Sequence, residues 1–254
     1  MNNPAAMITS ITLCMMMLAG CAGQKLNKKA QPISHEQPLI TVQDVHVKIS
    51  LDHVLIKNDP ASWVKNAAWD EYALSITPKQ QHLTISSIAL VDAFGTQVDH
   101  DFNRKQLKKA SKLIKKKYEK QGHAIQIGSV PSGSLLGFSA AVGLGAAAGS
   151  SASTMYIGSS AAGAAGAVVV AVPAAIVTGI IRAKNHRQVQ HVLTDKALTL
   201  PFSIQAQGTQ MGVIFPAVPI PNHLAITYTI DNHSNTIKVP LNHVMHGVHI
   251  KPQN

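Results

Sequence analysis

Acidic residues and cysteines are scarce in this chain. Twelve Asp and Glu stand against 22 Lys and Arg, a formal net charge of +10 that would ordinarily point to nucleic acid. The two cysteines are Cys14 and Cys21. Cys14 lies inside an apolar opening stretch, so removal of that stretch leaves one thiol and excludes an internal disulfide. Aromatic residues make up 4% and charged residues 13%, which sets the chain apart from an average soluble protein. The largest gap is local: residues 124 to 181 are 58 positions without Asp, Glu, Lys, Arg or His. The first twenty residues hold no Lys or Arg. Catalytic patterns are missing too. No nucleophile motif occurs, no paired carboxylates flank a cleft, and the glycines of residues 137 to 149 lack the Lys-Ser/Thr ending that holds a nucleotide phosphate. The expectation is a protein that is not an enzyme and takes no cofactor.

The apolar opening runs from Met7 to Leu18, the length of a signal h-region and too short to span a bilayer. Leu18-Ala19-Gly20-Cys21 closes it. This tetrapeptide resembles the lipobox of bacterial lipoproteins, which implies that Cys21 receives a diacylglycerol and becomes the mature N-terminus. Ala22 and Gly23 follow without an Asp. By resemblance to the sorting rule of enteric lipoproteins, that implies the outer membrane, facing the periplasm. For an exported chain the anionic partner expected from the charge is phospholipid or lipopolysaccharide, and not nucleic acid. Residues 1–20 read as a lipoprotein signal peptide and 21–38 as a lipid-anchored tether, polar, with Lys25, Lys28, Lys29, Pro32 and Pro38.

From Leu39 the pattern alternates. Val45, Val47, Ile49 and Leu51 fall on one face, as a half-buried strand requires. Tyr72 to Ile76 and Leu83 to Val91 are further strands, the second with a phase shift at Ser86-Ser87 that predicts a bulge. A turn follows at Asp92 to Gly95, and residues 39–100 form the first part of a β-sandwich. Residues 101–122 change character. Leu107, Ala110, Leu113, Ile114 and Tyr118 recur at helical spacing among Arg104, Lys105, Lys108, Lys109, Lys112, Lys115, Lys116, Lys117 and Lys120. Asp101 reads as the cap of this basic helix. An apolar stripe beside a polybasic face suits an element lying on an anionic bilayer, and equally a surface helix whose stripe packs on its own domain.

Within the uncharged stretch, 25 of the 34 residues from 133 to 166 are Gly, Ala or Ser. Gly137, Ala141, Gly145 and Gly149 repeat every fourth position, as do Gly158, Ala162 and Gly166. On a helix that spacing makes a smooth groove where two backbones pack closely. The pattern resembles the glycine-zipper segments of bacterial envelope proteins. Residues 133–182 therefore read as an apolar Gly/Ala-rich helical hairpin turning near Ser150 to Ser153. Its second arm, Ile157 to Ile181, is long enough to span a bilayer, with Arg182, Lys184 and Arg187 just beyond.

After Leu198 alternation returns in four sets: Leu198 to Ile204, Met211 to Phe215, Leu224 to Ile230 and Ile237 to Leu241, the last two joined at Asp231 to Asn235. Residues 197–250 thus complete the sandwich. The fold class expected is α+β, an antiparallel Ig-like β-sandwich interrupted by the basic helix and the hairpin. Trp69-Asp70-Glu71-Tyr72, Leu90-Val91-Asp92 with Gly95, Gly212 to Pro216 and Leu224 to Tyr228 look like the sandwich halves of uncharacterised proteobacterial lipoproteins that carry a glycine-zipper insertion. That resemblance brings no activity to any residue. Of the thirteen histidines, His243, His246 and His249 lack a neighbouring carboxylate and read as exposed or edge-strand imidazoles, with no metal. The expected partners are membrane lipids, a second copy of the chain and an envelope protein. The expected role is structural or in assembly; a pore built from several hairpins and a periplasmic protein-binding module are the alternatives.

Overall fold

A computed structural model describes residues 23–30, 37–79, 82–130 and 174–251, of which 174–182 are described as helical backbone alone. The zipper residues Gly137, Ala141, Gly145, Gly149, Gly158, Ala162 and Gly166 lie outside the described residues, as does Cys21.

Two antiparallel sheets pack face to face. One has the order β2 (Ile40–Gln43), β3 (Val47–Leu55), β5 (Trp69–Pro78) and β9 (Thr209–Pro216). The other runs β11 (His233–Pro240), β10 (Pro221–Ile230) and β6 (His82–Asp92). On the far edge of β6, β7 (Gln97–Asp99) pairs with Ala89 to Val91, and β8 (Phe202–Gln205) pairs with His82 to Ile85. Alternate residues of both sheets meet between them: Val47, Ile49, Leu51, Tyr72, Leu74, Ile76, Val213 and Phe215 from one, and Leu83, Ile85, Ile88, Leu90, Leu224, Ile226 and Tyr228 from the other, almost all without exposed surface. Each such aliphatic side chain contributes about 1.5–3 kcal/mol by leaving water.

The pattern-based strands are found with adjusted ends. The phase shift at Ser86-Ser87 is a bulge: β10 pairs Thr227 with Ser87 and Tyr228 with Ile85, skipping Ser86. The last hairpin is tighter than the five-residue turn suggested. Only Asp231 and Asn232 lie in the loop, both at positive φ (47° and 63°), the geometry a two-residue hairpin turn needs. Val45 does not join the β3 face. Asp44 Oδ1 accepts from the N–H groups of His46 and Val47, and this local turn leaves Val45 74% exposed.

Helix α1 (Arg104–Lys120) occupies the expected place, but its cap is Asn103 and not Asp101. Asn103 Oδ1 accepts from the N–H of Lys105 and of Gln106, while Asp101 Oδ1 accepts from Asn103 N–H and holds the cap itself. Helix α2 (Ala174–Asp195) extends well past the predicted hairpin end. Its second half buries Val189 and Leu193 in a smaller core with Leu107 of α1, Trp69, Ile214, and Val64 of the short β4 (Val64–Lys65). This core lies on the outer face of the four-stranded sheet, because Trp69 and Ile214 alternate with the inward-facing Tyr72 and Phe215.

Candidate functional site

Among the described residues, the basic helix holds most of those that the sequence singles out. Leu107, Ser111 and Tyr118 are buried against the domain, with Ile114 packed on the main core. Ser111 is polar within this buried face, and its hydroxyl is fully used: it donates to the carbonyl oxygen of Ala68 and accepts from Ala217 N–H at 3.0 Å. Burial first, and then the charge of Asp92, push the Tyr118 phenol well above its ordinary range, so it stays protonated. The apolar stripe of α1 is therefore spent on its own domain, apart from Leu113, which is 60% exposed.

The basic residues divide into tied and untied sets. Arg104 donates through Nη1 to Gln24 Oε1 at 3.0 Å, and burial lowers its guanidinium pKa. Lys117 reaches Asp92 Oδ2 (3.2 Å) and Thr96 Oγ1 (2.6 Å), its ammonium standing 5.2 Å from the centre of the Phe94 ring. Lys115 pairs with Glu119 at 3.5 Å. Lys105, Lys108, Lys109, Lys112, Lys116 and Lys120 point into solvent. A groove of about 420 Å³ runs along Lys109, Lys112, Leu113, Lys115, Lys116 and Glu119. Lys184 is exposed on α2; the side chain of Arg182 lies outside the described residues.

The start of the tether is docked. Lys25–Leu26 form a short strand, β1, paired with β4, and Gln24 is only 6% exposed. Asn27 N–H donates to Trp63 O at 2.7 Å. Gln190 of α2 closes the same corner. Its Oε1 accepts from Arg104 N–H at 2.9 Å and its Nε2 donates to Phe102 O at 3.0 Å, so one amide satisfies groups at the start of α1.

A second groove, about 530 Å³, crosses the outer face of the four-stranded sheet beside Asp52, His53, Glu71 and Gly212. Its carboxylates are engaged. Glu71 accepts from Lys196 Nζ (2.7 Å) and Trp63 Nε1 (2.6 Å), and Asp52 accepts from Ser75 Oγ (2.5 Å). No protein-family model, curated protein or solved structure matches the chain.

His243 and His246 are exposed, but His249 is fully buried and has a carboxylate partner, Asp70, 179 residues away. His249 Nδ1 accepts from Gly128 N–H (2.9 Å), so the ring proton sits on Nε2 and is donated to Asp70 Oδ2 (2.8 Å). No local pattern announces this pair. Among the described residues no group of three or more His, Cys, Asp or Glu side chains is placed to hold a metal ion, and no helix is long and apolar enough to cross a membrane.

Proposed function

We propose that the chain is a bacterial envelope lipoprotein, anchored through Cys21 to the outer membrane on its periplasmic side, with a structural or assembly role and no catalysis. The observation that carries this reading is the docked N-terminal segment. Gln24, three residues after Cys21, is buried and bonded to Arg104 at the start of α1. Three residues reach at most about 11 Å, so an acyl chain on Cys21 would hold the domain close to the bilayer with its basic helix beside the attachment point. Lipid on one residue gives reversible attachment, and a polybasic element supplies the second signal that stable binding requires. The sandwich is read as Ig-like on the strength of its two facing antiparallel sheets.

Palmitate labelling and membrane fractionation of the wild type beside Cys21→Ala test this directly. Labelling of the wild type alone is the expected result; an unlabelled wild type would sink the proposal. The pore reading has one observation in its favour: α2 is already helical at Ala174, at the end of the uncharged stretch. It requires dye leakage from liposomes that disappears in Gly145→Leu or Gly166→Leu.

A further inference from the structure

We propose that α1 docks side-on against an anionic phospholipid surface through a ridge of five lysines, with Leu113 and Phe94 entering the headgroup layer. This deepens the reading of an envelope lipoprotein and rests on it for the choice of membrane.

The ridge follows from helical geometry. Leu107, Ser111 and Tyr118 fix which side of α1 faces the domain. The opposite side carries Lys105, Lys109, Lys112, Lys116 and Lys120, at steps of four, three, four and four residues, and all five are exposed. Fifteen residues at about 1.5 Å each make a line of charge roughly 22 Å long. Neighbouring lysines lie within a Debye length of one another, so they act as one field. The one acidic residue within the helix, Glu119, is taken up by Lys115.

The choice of a bilayer over a nucleic acid comes from the apolar residues beside the charge. Val45, Phe94 and Leu113 are the large hydrophobics left exposed among the described residues, and two of them adjoin the ridge, Leu113 on α1 itself and Phe94 beside Lys117. Leu113 lies in the groove between the lysines. Lys117, one turn further along, stands over the Phe94 ring, which is itself packed on Tyr118 with ring centres 5.0 Å apart. An exposed leucine and a half-exposed phenylalanine gain nothing from a phosphate backbone in water. They gain from the boundary between headgroups and acyl chains. Because Leu107 and Tyr118 are buried in the domain and Ile114 packs on its core, α1 does not sink into the bilayer as a free amphipathic helix would. The contact is peripheral and sensitive to salt. It also sets an orientation, with Gln24, three residues after Cys21, bonded to Arg104 at one end of α1 and the Leu113–Phe94 pair toward the other.

The test places a polarity-sensitive fluorophore at Leu113→Cys in the full chain with Cys14→Ser and Cys21→Ser, so that no acyl chain takes part. Vesicles of phosphatidylglycerol mixed with phosphatidylcholine should shift the emission to the blue, and vesicles of phosphatidylcholine alone should not. Lys109→Glu, Lys112→Glu and Lys116→Glu together should raise the lipid concentration needed for the shift at least about 100-fold, roughly a factor of five for each lysine lost, before the repulsion of the added carboxylates is counted. Lys48→Glu, Lys238→Glu and Lys251→Glu, away from α1, should change it by no more than a few-fold. A blue shift equal in both vesicle types, no shift in chains that float with the vesicles, or an unchanged response in the α1 triple variant would overturn the proposal. So would a DNA duplex bound through the same lysines more tightly than the phosphatidylglycerol vesicles. Since the acyl acceptor is absent, failure here is distinct from failure of palmitate labelling.

Discussion

A buried carboxylate is tolerated where its partners are fixed, and Asp70 has one such partner in His249. His249 is held in turn by Gly128 N–H and sits at φ 65°, a conformation that a non-glycine residue keeps only when its surroundings demand it. The backbone supplies that demand: Gln126 N–H donates to His249 O at 2.8 Å and His249 N–H to Ser129 O at 2.9 Å. His249→Leu would leave the Asp70 carboxyl in the core without its donor, and should cost about 1–3 kcal/mol in urea unfolding. Asp70→Asn should cost less, because an amide oxygen still accepts from Nε2; equal losses for the two variants would contradict the assigned proton. At this scale the sequence is least legible. Asp70 and His249 look like any two polar residues until the fold brings 179 positions of separation down to 2.8 Å.

Elements are more legible, because period-two alternation and helical spacing are local properties of the chain. The strands around Val47, Tyr72, Leu83, Val213, Leu224 and Ile237 follow from alternation alone. The docked half of α2 escapes such reading, since residues 183–195 bury only Val189 and Leu193 among charged and polar neighbours. What fastens this end of α2 is a clamp on the outer sheet face. Lys196, just beyond the helix, pairs with Glu71 and lies 5.6 Å from the centre of the Trp63 ring. Glu71 Oε1, bonded to Lys196, lies close over Gly212 of β9, where a Cβ would stand 2.6 Å from it. Gly212→Ala should therefore destabilise the protein by about 1–3 kcal/mol. In a Glu71→Ala background the same substitution should become neutral or stabilising, because the obstacle is gone and alanine restricts the unfolded chain. A loss that persists in that background would show that the clamp is not the cause.

For the whole molecule, the joint between the two sheets is the property to probe. Tyr228 of β10 donates to Asp44 Oδ2 of the β2–β3 turn at 2.6 Å, linking the sheets across 184 residues of sequence. Burial alone would raise the Asp44 pKa, but the hydrogen bonds from Tyr228, Val47 and His46 outweigh it and leave the carboxyl below its ordinary 3.8. A carboxyl whose pKa is lowered by folding stabilises the fold above its unfolded pKa, and that contribution fades as pH falls through the folded value. Asp44→Asn should lower the urea midpoint at neutral pH, and the gap to the wild type should close below about pH 4. A gap that survives in acid would mean that the charge is not what matters. The alternating strands, the basic helix and the long uncharged stretch are legible in the amino-acid order, since each is a pattern among near neighbours. It takes the packed chain to show that Leu107 and Tyr118 of α1 are consumed by the domain and its lysines left outside, that Gln24 is docked against Arg104, and that His249 belongs to Asp70. Periodicity sets which residues share a face, but what covers that face is contributed by distant parts of the chain.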